Sequence, residues 1–256
     1  MLPRTRPTTQ PESAGSFPDL FSGHAALYAR SRPAYPESLI AEIAALAPGG
    51  ELAWDAGTGN GQAARLLAAY FQRVHATDAS AAQISQAGPH PDIDFAVEPA
   101  ERCSLPGASC DLVLAAQALH WFDLDAFYSE ARRVLRPGGL LAAIGYGWFF
   151  VDPVVDEIVG RALLKPLEPM WAPGNWLLVD GYRTIDFPGE EVRLTPCAVH
   201  LAWTLEQLGA YVGSWSAVQR WEPGRLAAAL DELAAVWPDG QPRHVFMPVI
   251  ARAARL

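Results

Sequence analysis

The sequence predicts an α/β fold built on a mostly parallel sheet, and three observations carry that prediction. Apolar runs of strand length alternate with Ala/Leu-rich stretches of helical length, the pattern of repeated strand–helix–strand units. One such run ends in an acid and leads straight into a glycine-spaced turn, Trp54-Asp55-Ala56-Gly57-Thr58-Gly59-Asn60-Gly61. Farther on, Arg132-Arg133-Val134-Leu135-Arg136-Pro137-Gly138-Gly139 reads as a helix stop. Cations there complement the helix C-terminus, proline blocks continuation and the glycines turn the chain into a strand.

Taken in order, residues 1 to 16 are rich in Pro, Thr and Ser with almost no apolar content, which predicts a disordered leader. Order is expected from Phe17. Two helical segments between Ser22 and Leu46 flank Ser31-Arg32-Pro33-Ala34-Tyr35-Pro36, where the prolines must break the helix. Strands are expected at 51 to 56, 72 to 77, 93 to 97, 110 to 116 and 139 to 145, with helices at 60 to 70, 80 to 87 and 123 to 135. Residues 17 to 147 therefore form N-terminal cap helices and a core.

After Gly147 the pattern changes, because residues 148 to 222 hold six of the nine tryptophans. A helix near 153 to 165, a strand near 191 to 202 and a helix near 204 to 213 make this stretch a helical and aromatic cap inserted after the fifth strand. Residues 223 to 256 close the chain with a helix at 224 to 236, the polar turn Pro238-Asp239-Gly240-Gln241-Pro242 and a strand from His244 to Ala251.

At 256 residues and 50% hydrophobic content the chain can bury a full core. A net charge of -9 is a poor match to a polyphosphate backbone, so nucleic acid is not an expected partner. No apolar run approaches the length of a bilayer span and Met1 to Pro7 lacks the apolar region of a signal peptide, so the expected location is the cytoplasm. Cys103, Cys110 and Cys197 form no C-x-x-C pair and read as free, mostly buried thiols. The six histidines fall in no metal-ligand spacing, so no metal is expected.

The glycine turn narrows the ligand. Glycines at 57, 59 and 61 tolerate positive φ and let a ligand approach the backbone, while Asp55 ends the strand with a carboxylate directed at the same space. A dinucleotide fingerprint of the form G-x-G-x-x-G, counted from Gly57, would need its third glycine at Gln62. The acidic-x-G-x-G-x-G pattern from Asp55 to Gly61 instead resembles motif I of the class I S-adenosylmethionine (SAM) dependent methyltransferases. That resemblance implies a Rossmann-like, mostly parallel seven-stranded sheet flanked by helices, and SAM as cofactor. The Leu135-Arg136-Pro137-Gly138-Gly139 segment is similar to the one that precedes the fifth strand in that family.

Several further residues join the site. Asp78, at the end of Val74-His75-Ala76-Thr77-Asp78, either accepts hydrogen bonds from a ribose diol or caps the helix that follows. The resemblance adds Thr58 and Ala79 beside them, and it aligns Ala100 and Glu101 in Glu98-Pro99-Ala100-Glu101 with the loop that touches adenine. Tyr28-Ala29-Arg30-Ser31-Arg32-Pro33-Ala34-Tyr35-Pro36 resembles an element ahead of motif I in small-molecule methyltransferases related to trans-aconitate methyltransferases. There Tyr28 and Arg32 would cover the cofactor and pair with its carboxylate; otherwise they are helix surface.

The fourth strand delivers Ala116-Gln117-Ala118-Leu119-His120-Trp121 to the sheet edge where a methyl group would point. Methyltransferases acting on nucleobase or protein amines often carry D/N-P-P-Y/F here. The departure moves weight to a small-molecule acceptor faced by Gln117, His120 and Trp121, with Gln117 also beside the cofactor. His120 is either a general base or a site-lining histidine. The function expected is methyl transfer by direct in-line displacement. A binding module for SAM or S-adenosylhomocysteine that acts through a partner would carry the same turn, and the glycine spacing disfavours a nicotinamide-dependent reductase.

Overall fold

In the computed structural model, residues 32 to 238 and 240 to 256 are described; the expected leader, the first N-terminal helical segment and Tyr28 lie outside the described residues. Five strands, β1 (Leu52–Ala56), β2 (Arg73–Asp78), β3 (Ile93–Val97), β4 (Cys110–Ala116) and β5 (Leu135–Tyr146), pair in parallel. Two more, β6 (Glu190–Val192) and β8 (Arg243–Arg255), complete the path β3-β2-β1-β4-β5-β8-β6, with β8 antiparallel to both neighbours. The switch from β1 leftward to β2 and rightward to β4 opens a crevice above the carboxyl end of β1, where ligands of such sheets bind.

Alternation along the strands explains why both faces are covered. Leu112, Leu114, Leu140, Ala142 and Ile144 point into one buried cluster, and Val113, Ala115, Leu141 and Ala143 into the other. Helices α1 (Glu37–Leu46), α2 (Gln62–Leu67) and α3 (Ala81–Ala87) follow in sequence, and α4 (Leu124–Val134) buries Phe127, Ala131 and Val134 on one stripe.

Two elements differ from the sequence expectation. The strand expected near 191 to 202 is split in two, since Pro196 has no N–H to continue a ladder: β6 pairs residues 253 to 255, while β7 (Ala198–Trp203) pairs residues 243 to 248. β7 is thus an eighth strand beside the seven-strand path. The fifth strand begins at Leu135 rather than 139, because Leu135 already pairs with Cys110 before Arg136 to Gly139 loop out and pairing resumes at Leu140 and Leu112.

The region after β5 is mostly helical. α5 (Pro153–Val159) is capped by the Asp152 carboxylate and runs through a π turn, Gly160–Leu164, into α6 (Lys165–Leu167). Then come α7 (Asn175–Val179), α8 (Leu205–Gly213) with a Thr204/Gln207 capping box, and α9 (Arg225–Ala234), which packs on α5 and α8. No helix among the described residues is long and apolar enough to cross a membrane. Cys103 and Cys110 are buried free thiols and Cys197 is half-buried and free.

Candidate functional site

The turn after β1 uses its three glycines for three different purposes. All have positive φ, at 71°, 58° and 84° for Gly57, Gly59 and Gly61. A Cβ on Gly57 would lie 2.6 Å from Ala118 Cβ and 2.9 Å from Phe122 Cζ, so this glycine lets the β4 loop pack onto the turn. A Cβ on Gly61 would meet Phe95 at 2.8 Å, whereas one on Gly59 would find only Gln83 Oε1 at 3.8 Å. Gly59 is therefore the glycine that opens onto free space.

That space is a cavity lined by Gly57, Thr58, Gly59, Asp78, Ala79, Ala100, Glu101, Gln117, Trp121 and Arg32, with room for the centres of water-sized spheres over about 170 Å³. Asp78 Oδ2 accepts from the Gly59 N–H at 2.9 Å and Oδ1 from the Ser80 N–H at 2.8 Å. Ser80, not Asp78, is the N-cap of α3, its hydroxyl accepting from the Gln83 N–H at 3.4 Å. Burial raises the Asp78 carboxyl above its ordinary pKa, and the two backbone N–H groups oppose that rise. Glu101 Oε1 accepts from the Asp123 N–H at 3.0 Å, which anchors the β3 loop to the start of α4. Gln83 Oε1 is buried at the cavity wall with no hydrogen-bond partner among the described residues.

Asp55 requires a correction. It was expected to face the ligand, but its side chain is fully buried beneath the turn and does not line the cavity. The Thr58 hydroxyl donates to its Oδ2 at 2.5 Å. Burial pushes the Asp55 carboxyl up to about 7; the Thr58 hydrogen bond opposes the rise and the Asp78 charge adds to it.

At the end of β4, Gln117 adopts φ 56°, an uncommon conformation for a residue with a side chain. Its N–H donates to Ile144 O, its Nε2 donates to Tyr146 O at 3.1 Å and its Oε1 accepts from the Tyr146 N–H at 2.9 Å. The amide thus continues the β4–β5 ladder by side chain, which fixes the floor between two cavities.

The second cavity is smaller, about 70 Å³ by the same measure, and shares Arg32, Gln117, Trp121 and Tyr146 with the first. Its other walls include His120, Asn175, Trp148, Trp171, Tyr211 and Trp215. Trp148, Trp171 and Trp215 meet at ring-centroid distances of 5.5, 5.8 and 5.6 Å. Of the other cap tryptophans, Trp176 is exposed and Trp203 and Trp221 pack on the core away from either cavity.

Of these two cavities His120 lines the second, and its Nδ1 lies 3.0 Å from the Tyr182 hydroxyl. Burial, helped by the Arg32 charge, pulls its pKa down to about 3. A ring so reluctant to take a proton is a poor general base, since an efficient base has a pKa near the working pH. Of the two alternatives raised from the sequence, this burial favours the site-lining histidine.

Sequence reasoning missed Tyr35, Gln83, Phe122, Asn175 and Tyr182. Tyr35 sits in the quoted proline-rich element and Phe122 follows Trp121 directly, so both had a local signal. Tyr182 had none, because it reaches His120 from 62 residues away. Among the described residues no three His, Cys, Asp or Glu side chains gather as a metal site would need.

A parallel sheet with a glycine turn over β1, a carboxylate closing β2 and a cavity across the switch point defines an α/β cofactor-binding protein of the Rossmann-like class. Comparison with known proteins is more specific. The family described as a methyltransferase domain matches residues 54–143. A candidate methyltransferase of Dictyostelium discoideum is 31% identical over 204 residues, covering 78% of each chain. A solved structure of a candidate type II methyltransferase from Anaeromyxobacter dehalogenans is 43% identical, covers 88% of this chain and 97% of its own, and superposes with a TM-score of 0.80. A solved structure of a candidate methyltransferase from an antibiotic biosynthesis pathway of Anabaena variabilis shares the fold at 18% identity and a TM-score of 0.55 over 86% of this chain and 99% of its own. The chain belongs to the class I SAM-dependent methyltransferases, and SAM is its cofactor.

Proposed function

We propose that the protein methylates a small, largely apolar molecule held in the second cavity. The observation that carries this reading is the shared wall: Arg32, Gln117, Trp121 and Tyr146 border both cavities, so ligands filling the two would abut. The larger space suits the cofactor and the smaller, aromatic one the acceptor.

The residues of the first cavity fit SAM. Asp78 would accept from the ribose hydroxyls, Gln83 Oε1 would gain the donor it lacks, and Glu101 with Ala100 would flank adenine. Thr58, Gly59 and Ala79 would supply close backbone approach, while Gly57 and Gly61 hold the turn from behind. Arg32 would pair with the carboxylate, and Tyr28, outside the described residues, would join it in the same reading. Asp55 would act through Thr58 and not by contact.

When bound, SAM supplies a methyl group on a cationic sulfur, already activated toward a nucleophile. The chain's own work is then alignment and exclusion of water. Gln117 keeps the floor between the cavities rigid, and Trp121 with the cap tryptophans shields the acceptor in line with the methyl. The negatively charged chain and the small cavity support a small acceptor over nucleic acid.

The test is transfer of a labelled methyl from SAM into an extract of the source cell, with small and large products separated. Label in the small-molecule fraction is expected; label in macromolecules would overturn the acceptor class, and tight SAM binding with no label would favour a binding module. Asp78→Asn should weaken SAM binding roughly 10- to 100-fold by calorimetry, the range for losing a charged hydrogen-bond acceptor.

A further inference from the structure

Tyr182 is fully buried and held by its own backbone. It adopts φ 56°, and its carbonyl accepts from Arg252 Nη1 at 2.6 Å; the same guanidinium donates to Ile185 O at 3.1 Å and covers the Phe187 ring at 4.7 Å. The phenol is thereby fixed with its hydroxyl 3.0 Å from His120 Nδ1, the two rings nearly parallel at 29°.

Which atom carries the proton follows from satisfaction of buried groups. A neutral phenol has one proton to donate, and His120 Nδ1 is its hydrogen-bond partner among the described residues. With the proton on Nδ1, the hydroxyl would have to accept, and its own buried proton would be left without a partner. That cost favours the other tautomer by about tenfold or more. Nε2, which makes no hydrogen bond among the described residues, then carries the proton on a ring that lines the second cavity.

We propose that Tyr182 is a positioning residue that locks His120 as the Nε2–H tautomer, so that the second cavity offers a neutral N–H donor to a lone pair on the acceptor. The second half rests on the reading of this cavity as the acceptor site; the tautomer itself does not. The acceptor class that follows is an apolar, planar molecule bearing a carbonyl, ether or other hydrogen-bond-accepting atom, bound between tryptophans and held by one neutral donor. Asn175 Oδ1, buried at the same wall without a partner among the described residues, would take a donor from the same molecule.

Nitrogen-15 NMR of the intact protein tests this without knowledge of the acceptor, the His120 signals being assigned by their loss in His120→Gln. Expected is one protonated ring nitrogen, Nε2, and one bare nitrogen, Nδ1, at pH 7. In Tyr182→Phe, which conserves volume, the signals should move toward a mixture of tautomers while SAM affinity by calorimetry stays within about threefold. A proton on Nδ1 in the wild type, or a tautomer unchanged in Tyr182→Phe, overturns the proposal; should Tyr182→Phe fail to fold, the wild-type spectrum decides alone. Once a labelled small product is in hand, Tyr182→Phe should raise KM for its acceptor several-fold with little change in kcat. An unchanged KM with the predicted tautomer would remove the acceptor half only, and absence of any transfer would strike the function and not the tautomer.

Discussion

The first cavity is walled by backbone, glycines and carboxylates from loops that follow β1 to β4, while the second is walled by large side chains from segments as distant as Arg32 and Ser216. In the proposed reading the first recognises polar groups by positions set within a few residues of each strand end. The second is lined by tryptophans that only long-range packing brings together. A family can therefore keep one cavity constant for a shared cofactor and rebuild the other for a different acceptor.

The strongest way to break this contrast is within the glycine turn. Gly57→Ala should cost about 3 to 5 kcal/mol of stability, combining left-handed backbone strain with overpacking against Ala118 and Phe122. Gly59→Ala, with open space at its Cβ, should cost only about 1 to 2 kcal/mol from strain and instead weaken SAM binding. Denaturant midpoints and calorimetry on the two variants separate these; equal stability losses would mean that Gly57 packs no tighter than Gly59.

Asp55→Asn probes the acid beneath the turn. With its folded pKa raised to about 7, the native state holds a proton that the unfolded chain has already released. Its stabilising contribution is thus full below about pH 3.8 and is lost as pH rises through 7, a loss of roughly 4 kcal/mol at most. His120 acts oppositely, because its lowered pKa makes the native state lose stability as pH falls from 6.5 toward 3. The difference in Tm between Asp55→Asn and wild type isolates the first effect. It should grow in the variant's favour from pH 4 to 7 and level off above; a difference independent of pH would mean that Asp55 is ionised throughout.

A probe at the second cavity sharpens the contrast from the other side. A Cβ on Gly174 would collide with the His120 carbonyl oxygen, so Gly174→Ala should shift α7 away from the β4 loop at a cost of about 1 to 3 kcal/mol. Methyl transfer should fall sharply while SAM affinity stays within about threefold. A parallel loss of SAM affinity would show that the two cavities are not separable.

The expected site residues that line one cavity together are the ones close to strand ends. Asp78 and Ala79 follow β2, Ala100 and Glu101 follow β3, and Gln117 and Trp121 follow β4, so chain direction alone delivers all of them to one sheet edge. Asp55 was legible as an acid before the turn, but not its orientation: the Thr58 hydroxyl, three residues on, captures it from below. The residue type alone left His120 open as a base or a site-lining histidine, and burial beside Tyr182 and Arg32, seen only in the fold, favours the second.

By itself, then, the sequence determined the alternation of strands and helices, the glycine turn and the carboxylates that accompany it, since hydrophobic period and backbone conformation are properties of neighbouring residues. Only the tertiary structure decided that β7 would pair with the far half of β8, that three tryptophans would close a second cavity and that a buried tyrosine would hold His120. Those outcomes depend on which surfaces meet after the chain has folded, and burial, more than residue type, sets the protonation of the groups trapped between them.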